Sequence, residues 1–215
     1  MEWNAMAILE ELREAMVDGQ AKQAVAKVSE GLAEGMDAGT LLRDGLIAGM
    51  AEVGQLYENG DIFVPEMLVA ARAMSAALEV LKPHLVEEGV ESSGKVAIGT
   101  TQGDLHDIGK NLVAMMLEGS GFEIVDLGVD VPADKFIEAI REGASVVAMS
   151  ALLTTTMTNM QTAIEAIKEA GLREQVRIII GGAPITKAYA DEIGADGYAE
   201  DASSAVRLVK EVLAA

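Results

Sequence analysis

The 215-residue chain has no cysteine, a single tryptophan, two histidines and four prolines, and aromatic residues make up only 3% of it. Without thiols it can build no disulfide, no thiolate zinc site and no cysteine-held iron–sulfur cluster. Basic residues are scarce, with 16 Lys and Arg against 35 Asp and Glu, for a formal charge of −19. A nucleic-acid surface needs the opposite balance, because its affinity comes from cations that displace the counterions of phosphates. Anionic membrane surfaces are excluded on the same ground. No apolar run approaches the roughly 20 residues of a membrane helix. The acidic opening MEWNAMAILEEL lacks the basic and apolar regions of a signal peptide. The expectation is a soluble, cytoplasmic chain with no nucleic-acid and no membrane partner. Apolar residues are plentiful, at half of the total, enough to fill one large domain or two small ones.

Hydrophobic periodicity divides the chain in two. Over residues 1–88 it is helical throughout. Ile8, Leu9, Leu12, Met16 and Val17 mark a first helix, and Ala21, Ala24, Val25, Val28 and Leu32 a second. A third begins at Thr40 as N-cap and runs through Leu42, Leu46, Met50 and Val53 to the stop signal Asn59-Gly60. A fourth starts at Val64-Pro65, proline suiting a first helical turn, and continues through Leu81. Trp3 anchors the first helix or a contact surface. These four helices predict an antiparallel bundle. Over residues 89–215 short β-branched runs alternate with helical ones: Lys95–Thr101, Phe122–Leu127, Ser145–Ser150, Arg177–Ile180 and Gly197–Ala199 each precede a helix. Five strands alternating with five helices predict a doubly wound parallel sheet of flavodoxin-like, Rossmann-like type, in order 2-1-3-4-5. The acidic, Gly/Ser-containing stretch 86–94 is the expected linker. Acidic residues outnumber basic ones in both halves.

In such a sheet, ligands bind beyond the carboxyl ends of the strands, where the strand order reverses. The two loops there are Thr101–Ile108 and Ser150–Thr156. They bring one of the two histidines, His106, two aspartates, Asp104 and Asp107, and the hydroxyls of Ser150, Thr154, Thr155 and Thr156. Gly181-Gly182 end the fourth strand; glycines there serve either a tight turn or a close approach. A dinucleotide GxGxxG and a Walker loop are both absent after the first strand. A phospho-accepting receiver needs an aspartate at the end of the third strand, where Ser150 stands. What remains is His106 as a metal ligand, with Asp104 able to take its other ring N–H. One histidine without cysteine cannot close a tetrahedral zinc site. A single protein ligand suits a metal whose other positions are filled by a macrocycle. The hydroxyls at 154–156 alternatively cap the helix that follows. His84 reads as a helix-end residue, and Lys110 and Asp107 as loop stabilisers or partner guides.

Asp104-Leu105-His106-Asp107-Ile108-Gly109 resembles the DxHxxG signature of cobalamin-binding domains, Ser150-Ala151-Leu152 its companion SxL, and Gly181-Gly182 its GG motif. The segments Gly54–Tyr57, Asn59-Gly60 and Phe63–Glu66 resemble the helical cap of cobalamin-dependent methionine synthase. Over nearly its whole length the chain is similar to the stand-alone corrinoid proteins of methylamine and methanol methyltransferases. That resemblance implies a cobalamin or related corrinoid as cofactor and His106 as the lower ligand of cobalt. It implies a relay from His106 through Asp104 to Thr156, where methionine synthase has serine. Gly103, Asp107, Ile108 and Gly109 line the same loop, and Ser150, Leu152 and Thr154 line a slot for the nucleotide tail. Gly181 and Gly182 give room for the displaced base, and Tyr57, Val64 and Met67 lie over the upper face. The implied function is to carry a methyl group on cobalt from a substrate-specific methyltransferase to an acceptor methyltransferase, with a reductive activator restoring Co(I). The chain alone is expected to turn over little. A cobalamin-dependent regulator is the alternative; the small subunit of a mutase and a non-corrin binding module stand behind it.

Overall fold

In a computed structural model of the chain, residues 2–90 and 92–214 are described, apart from the side chains of Glu2 and Trp3. The expectation for Trp3 and the linker residue Glu91 therefore lie outside the described residues. Contacts divide the chain into one unit of Met1–Ser92 with Glu118–Gly121, and another of Ser93–Leu117 with Phe122–Ala215.

The first unit is made of four helical passes. The first two are α1 (Glu2–Val17) and α2 (Ala21–Ala33). The third is α3 (Ala38–Thr40), a π-helical stretch Leu41–Ile47 and α4 (Ala48–Asn59), and the fourth is α5 (Val64–Glu87). Their apolar stripes meet in one core, with Leu12, Met16, Val28, Leu41, Leu46, Val53, Met67 and Leu81 excluded from solvent. The third pass starts earlier than its sequence suggests. Thr40 is already helical, and the extended Asp37 is the N-cap, its Oδ1 accepting the Thr40 N–H at 2.7 Å. At α5 the Glu66 carboxylate reaches back to the Phe63 N–H at 3.0 Å, and Pro65 occupies the first turn.

The second unit alternates strand and helix. Its first half is β1 (Lys95–Thr100), α6 (Ile108–Gly119), β2 (Glu123–Asp126), α7 (Ala133–Arg141) and β3 (Val146–Ser150). Its second half is α8 (Thr154–Glu169), β4 (Arg177–Gly181), α9 (Lys187–Ile193), β5 (Gly197–Ala199) and α10 (Ala202–Ala214). All pairings are parallel and the order is β2-β1-β3-β4-β5, as the alternation predicts. Both sheet faces are buried. Ala97, Val147, Met149, Ile178 and Ile180 pack with Phe136, Met160, Ile164 and Ile167 on one side, while Val96, Ile98, Val146, Ala148 and Ile179 are buried on the other. Register aligns Thr100, Ser150, Gly181 and Ala199 across four neighbouring strands, so their following loops leave the sheet along one edge.

Candidate functional site

The loop from β1 to α6 carries His106 on that edge, and its conformation is fixed around one carboxylate. Asp104 is fully excluded from solvent. Its Oδ1 accepts the His106 backbone N–H at 3.1 Å and lies 2.7 Å from the imidazole Nδ1. Its Oδ2 accepts the Thr156 hydroxyl at 2.6 Å and the backbone N–H groups of Leu152 and Leu153 at 2.8 and 3.3 Å. Those two amides precede α8, whose N-cap Leu153 has no side-chain cap of its own. Asp104 therefore does for α8, from another loop, what a capping side chain does locally, and the positive end of the helix favours its charge. The hydroxyl cap expected at 154–156 is not used: Thr154 and Thr155 are exposed, and Thr156 is buried with its hydroxyl on Asp104.

Burial alone pushes the Asp104 carboxyl up. The hydrogen bonds from Thr156, the Leu152 amide, and the His106 amide and ring outweigh it and hold the group far below the usual carboxylate range. An ionised carboxylate only accepts, so the hydrogen between Asp104 and Nδ1 belongs to the ring. In the neutral tautomer this selects, the lone pair is on Nε2. The His106 side chain is 52% exposed, and the buried Thr100 hydroxyl donates to its carbonyl at 2.9 Å. The ring is thus fixed on its inner side and open on its outer side.

The surroundings suit a flat apolar group with its own metal. Among the described residues no three His, Cys, Asp or Glu side chains are placed to share an ion, so these side chains do not by themselves complete a metal's coordination shell. Leu105, Ile108, Val129, Leu152 and Leu153 are large hydrophobics left exposed on the loops after β1, β2 and β3, where an apolar face would cover them. Gly109 is the second residue of α6, and a Cβ there would meet nothing within 4 Å. The protein's own packing does not require glycine at that point, and glycine weakens a helix. What glycine keeps clear is space outside the protein. Gly181 and Gly182 behave otherwise. A Cβ on Gly182 would fall inside the Ala151 carbonyl oxygen, one on Gly181 would lie 2.9 Å from the Ala199 carbonyl oxygen, and Gly182 has φ +126°. The chain's own backbone fills the space those two glycines leave.

The remaining expected residues are spread between the two units. Asp107 is exposed, its carboxylate accepting the Asn111 side-chain N–H at 3.1 Å. Ser150 ends β3 half-buried, its carbonyl accepting the Thr101 N–H at 2.9 Å. In the helical unit Tyr57 is half-buried, Val64 is partly exposed and Met67 is buried. Several structural contributors escaped the sequence. The Leu152 and Leu153 contacts are main-chain and leave no trace in residue type. Asp130 holds the Gly103 N–H at 2.7 Å. Asp126, also missed, takes the almost fully buried Lys110, whose Nζ lies 2.6 Å from both of its oxygens, and this contact ties down the end of the loop where the sequence placed Lys110 as a stabiliser.

A sequence model described as a B12 binding domain matches residues 94–207, and a second of the same description matches residues 8–82. Dimethylamine corrinoid protein 1 of Methanosarcina acetivorans is 47% identical over 210 residues, 96% of this chain and 98% of that protein. The trimethylamine corrinoid protein of Methanosarcina barkeri is 45% identical over 98% of both chains. The crystal structure of the methanol:cobalamin methyltransferase complex of Methanosarcina barkeri contains a chain that superposes with TM-score 0.86 at 29% identity, covering 97% of this chain and 80% of that one.

Proposed function

The chain belongs to the family of B12-binding corrinoid proteins, and from that premise we propose that His106 is the lower ligand of a cobalamin held on the carboxyl edge of the sheet. The bound corrinoid supplies a cobalt that accepts and releases a methyl group. The protein carries that methyl group between enzymes, with a methyltransferase specific for a methylamine or a similar small donor on one side. A second methyltransferase serving a thiol or tetrahydropterin, and a reductive activator, complete the cycle in the cytoplasm. The named relatives are corrinoid proteins of methylamine metabolism, which supports a carrier and does not favour a regulator.

The observation that carries this reading is the single half-exposed imidazole tied through Nδ1 to a buried carboxylate. Asp104 fixes the tautomer that leaves Nε2 free, and raises its donor strength by accepting the hydrogen bond of Nδ1–H. Thr156 and the two amides before α8 keep Asp104 ionised and in place. Leu105, Ile108 and Leu153 would lie beneath the macrocycle and exclude water, with Gly103, Asp107 and Gly109 on the same loop. Ser150, Leu152 and Thr154 would border the nucleotide tail, and Gly181 and Gly182 the displaced base. On the helical unit, the half-buried Tyr57 and the partly exposed Val64 would be available to a cofactor, whereas Met67 is taken up by that unit's own core.

The test is to reduce the cobalamin-loaded protein and treat it with labelled methyl iodide. One methyl group per chain should stay with the protein through gel filtration and be lost on illumination. Passage to a thiol should require an added methyltransferase. A loaded, reduced protein that takes up no methyl group overturns the carrier reading.

A further inference from the structure

Among the described residues, Asp130 is alone as a non-glycine residue with positive φ, at +53°. That left-handed conformation is unfavourable for most side chains, less so for aspartate, and persists where surrounding contacts impose it. Here the contacts all lead to the loop of His106. The Asp130 N–H donates to the Asp104 carbonyl at 2.9 Å, and its Oδ1 accepts the Gly103 N–H at 2.7 Å. The carboxylate thus closes on the Gln102–Gly103 peptide while the main chain closes on the Asp104–Leu105 peptide, so the Gly103–Asp104 peptide is held between them. Both neighbours along the turn are tied as well. Val131 forms a lone parallel bridge with Thr101 and donates to the Thr100 carbonyl at 3.0 Å, and Gly128 accepts the Thr100 N–H at 3.0 Å. The start of the turn is held by Asp126, which accepts the Gly128 N–H at 2.9 Å and the buried Lys110. Lys110 stands in the first turn of α6, at the far end of the same loop.

Asp104 is therefore gripped from two directions. Its side chain is set by the amides before α8, and its main chain by the turn between β2 and α7. A carboxylate that must aim one oxygen at an imidazole and the other at a helix end needs a fixed Cα, and the first set of contacts alone does not supply one. We infer that Asp130 is a positioning residue, which uses its strained backbone to hold the Gly103–Asp104 peptide so that His106 is already in its ligating orientation before the corrinoid arrives. The inference rests on His106 as the cobalt ligand but concerns a residue two loops away that is outside the DxHxxG, SxL and GG motifs.

Two substitutions separate positioning from plain structural support. D130G relieves the φ strain and removes the Oδ1 acceptor, while D130N keeps an acceptor oxygen and a side chain tolerant of positive φ. In the cobalamin-free protein, amide hydrogen exchange at Gly103 should quicken about tenfold in D130G and stay near wild type in D130N. Denaturant stability of D130G should not fall. In the loaded proteins, the D130G dissociation constant for cobalamin should rise about tenfold, with a smaller fraction of cobalt bound to histidine, and D130N should restore both. Unchanged exchange at Gly103 in D130G overturns the inference, as does a loss of cobalamin binding that follows loss of stability in both variants. A wild type that binds no cobalamin overturns the assignment of His106 together with the inference. Wild-type binding with indistinguishable D130G behaviour overturns the inference alone.

Discussion

The five acceptor contacts of Asp104 explain why one carboxylate can stay charged inside the protein. Asp104→Asn keeps the shape but places an NH2 group where both oxygens accept, leaving donors facing donors at Thr156 or the Leu152 amide. It should weaken cobalamin binding about 10- to 100-fold, measured by spectral titration. Gly109 and Gly182 give opposite predictions although both are glycines of a motif. Gly109→Ala should raise the stability of the cobalamin-free protein by about 1 kcal/mol in denaturant, because nothing stands within 4 Å of the new Cβ and alanine is the better helix former. The same substitution should lower cobalamin affinity, since the methyl group fills the space over the loop. Gly182→Ala should destabilise the protein by about 3 kcal/mol or more whether or not cofactor is present, because the new Cβ collides with the Ala151 carbonyl oxygen. At this scale the sequence is legible where chemistry resides in residue type. Asp-x-His announces a ligand and its partner two residues apart, and Thr156 follows only from family resemblance, 52 positions from Asp104. The amides of Leu152 and Leu153 and the backbone of Asp130 are illegible, because any side chain can accompany a main-chain N–H.

Elements were more readable than their ends. Alternation of short β-branched runs with helical periods determines a parallel sheet and its order, because right-handed crossovers leave few alternatives. The ends depend on single hydrogen bonds. Asp37, three residues ahead of Thr40, captures the Thr40 amide in the first turn of the third pass, and nothing in the apolar pattern distinguishes the two as caps. Asp37→Ala should cost about 1 kcal/mol by chemical denaturation, and Thr40→Ala clearly less, since the Thr40 amide remains whatever its side chain. The π-helical turn Leu41–Ile47 is invisible for a related reason. Leu41, Leu42, Gly45 and Leu46 are all buried there, so the apolar pattern runs on through the turn and does not mark its wider winding. Helix α8 begins at Thr154 rather than Thr156 because its free amides are met by a carboxylate remote in sequence.

For the whole molecule, the excess of acidic residues is a property no single contact reveals. A formal charge of −19 on 215 residues makes the folded chain repel itself. Raising salt from about 10 to about 150 mM should therefore increase Tm by about 2–4 °C, and an unchanged or lower Tm would show that local ion pairs dominate. The division of labour between residues and cofactor is also a whole-molecule matter, since a metal that arrives in its own macrocycle asks the sheet edge for no more than one ligand. The central claim is that His106, rather than the cofactor's own base, binds the lower face of cobalt. It is tested most directly by electron paramagnetic resonance of the protein loaded with cobalamin in the Co(II) state, with histidine supplied as the nitrogen-15 isotope and all else at natural abundance. The account predicts that each cobalt line, split in three by nitrogen-14, becomes split in two. Lines that remain split in three would show that the ligand is the cofactor's benzimidazole, and would contradict the assignment of His106.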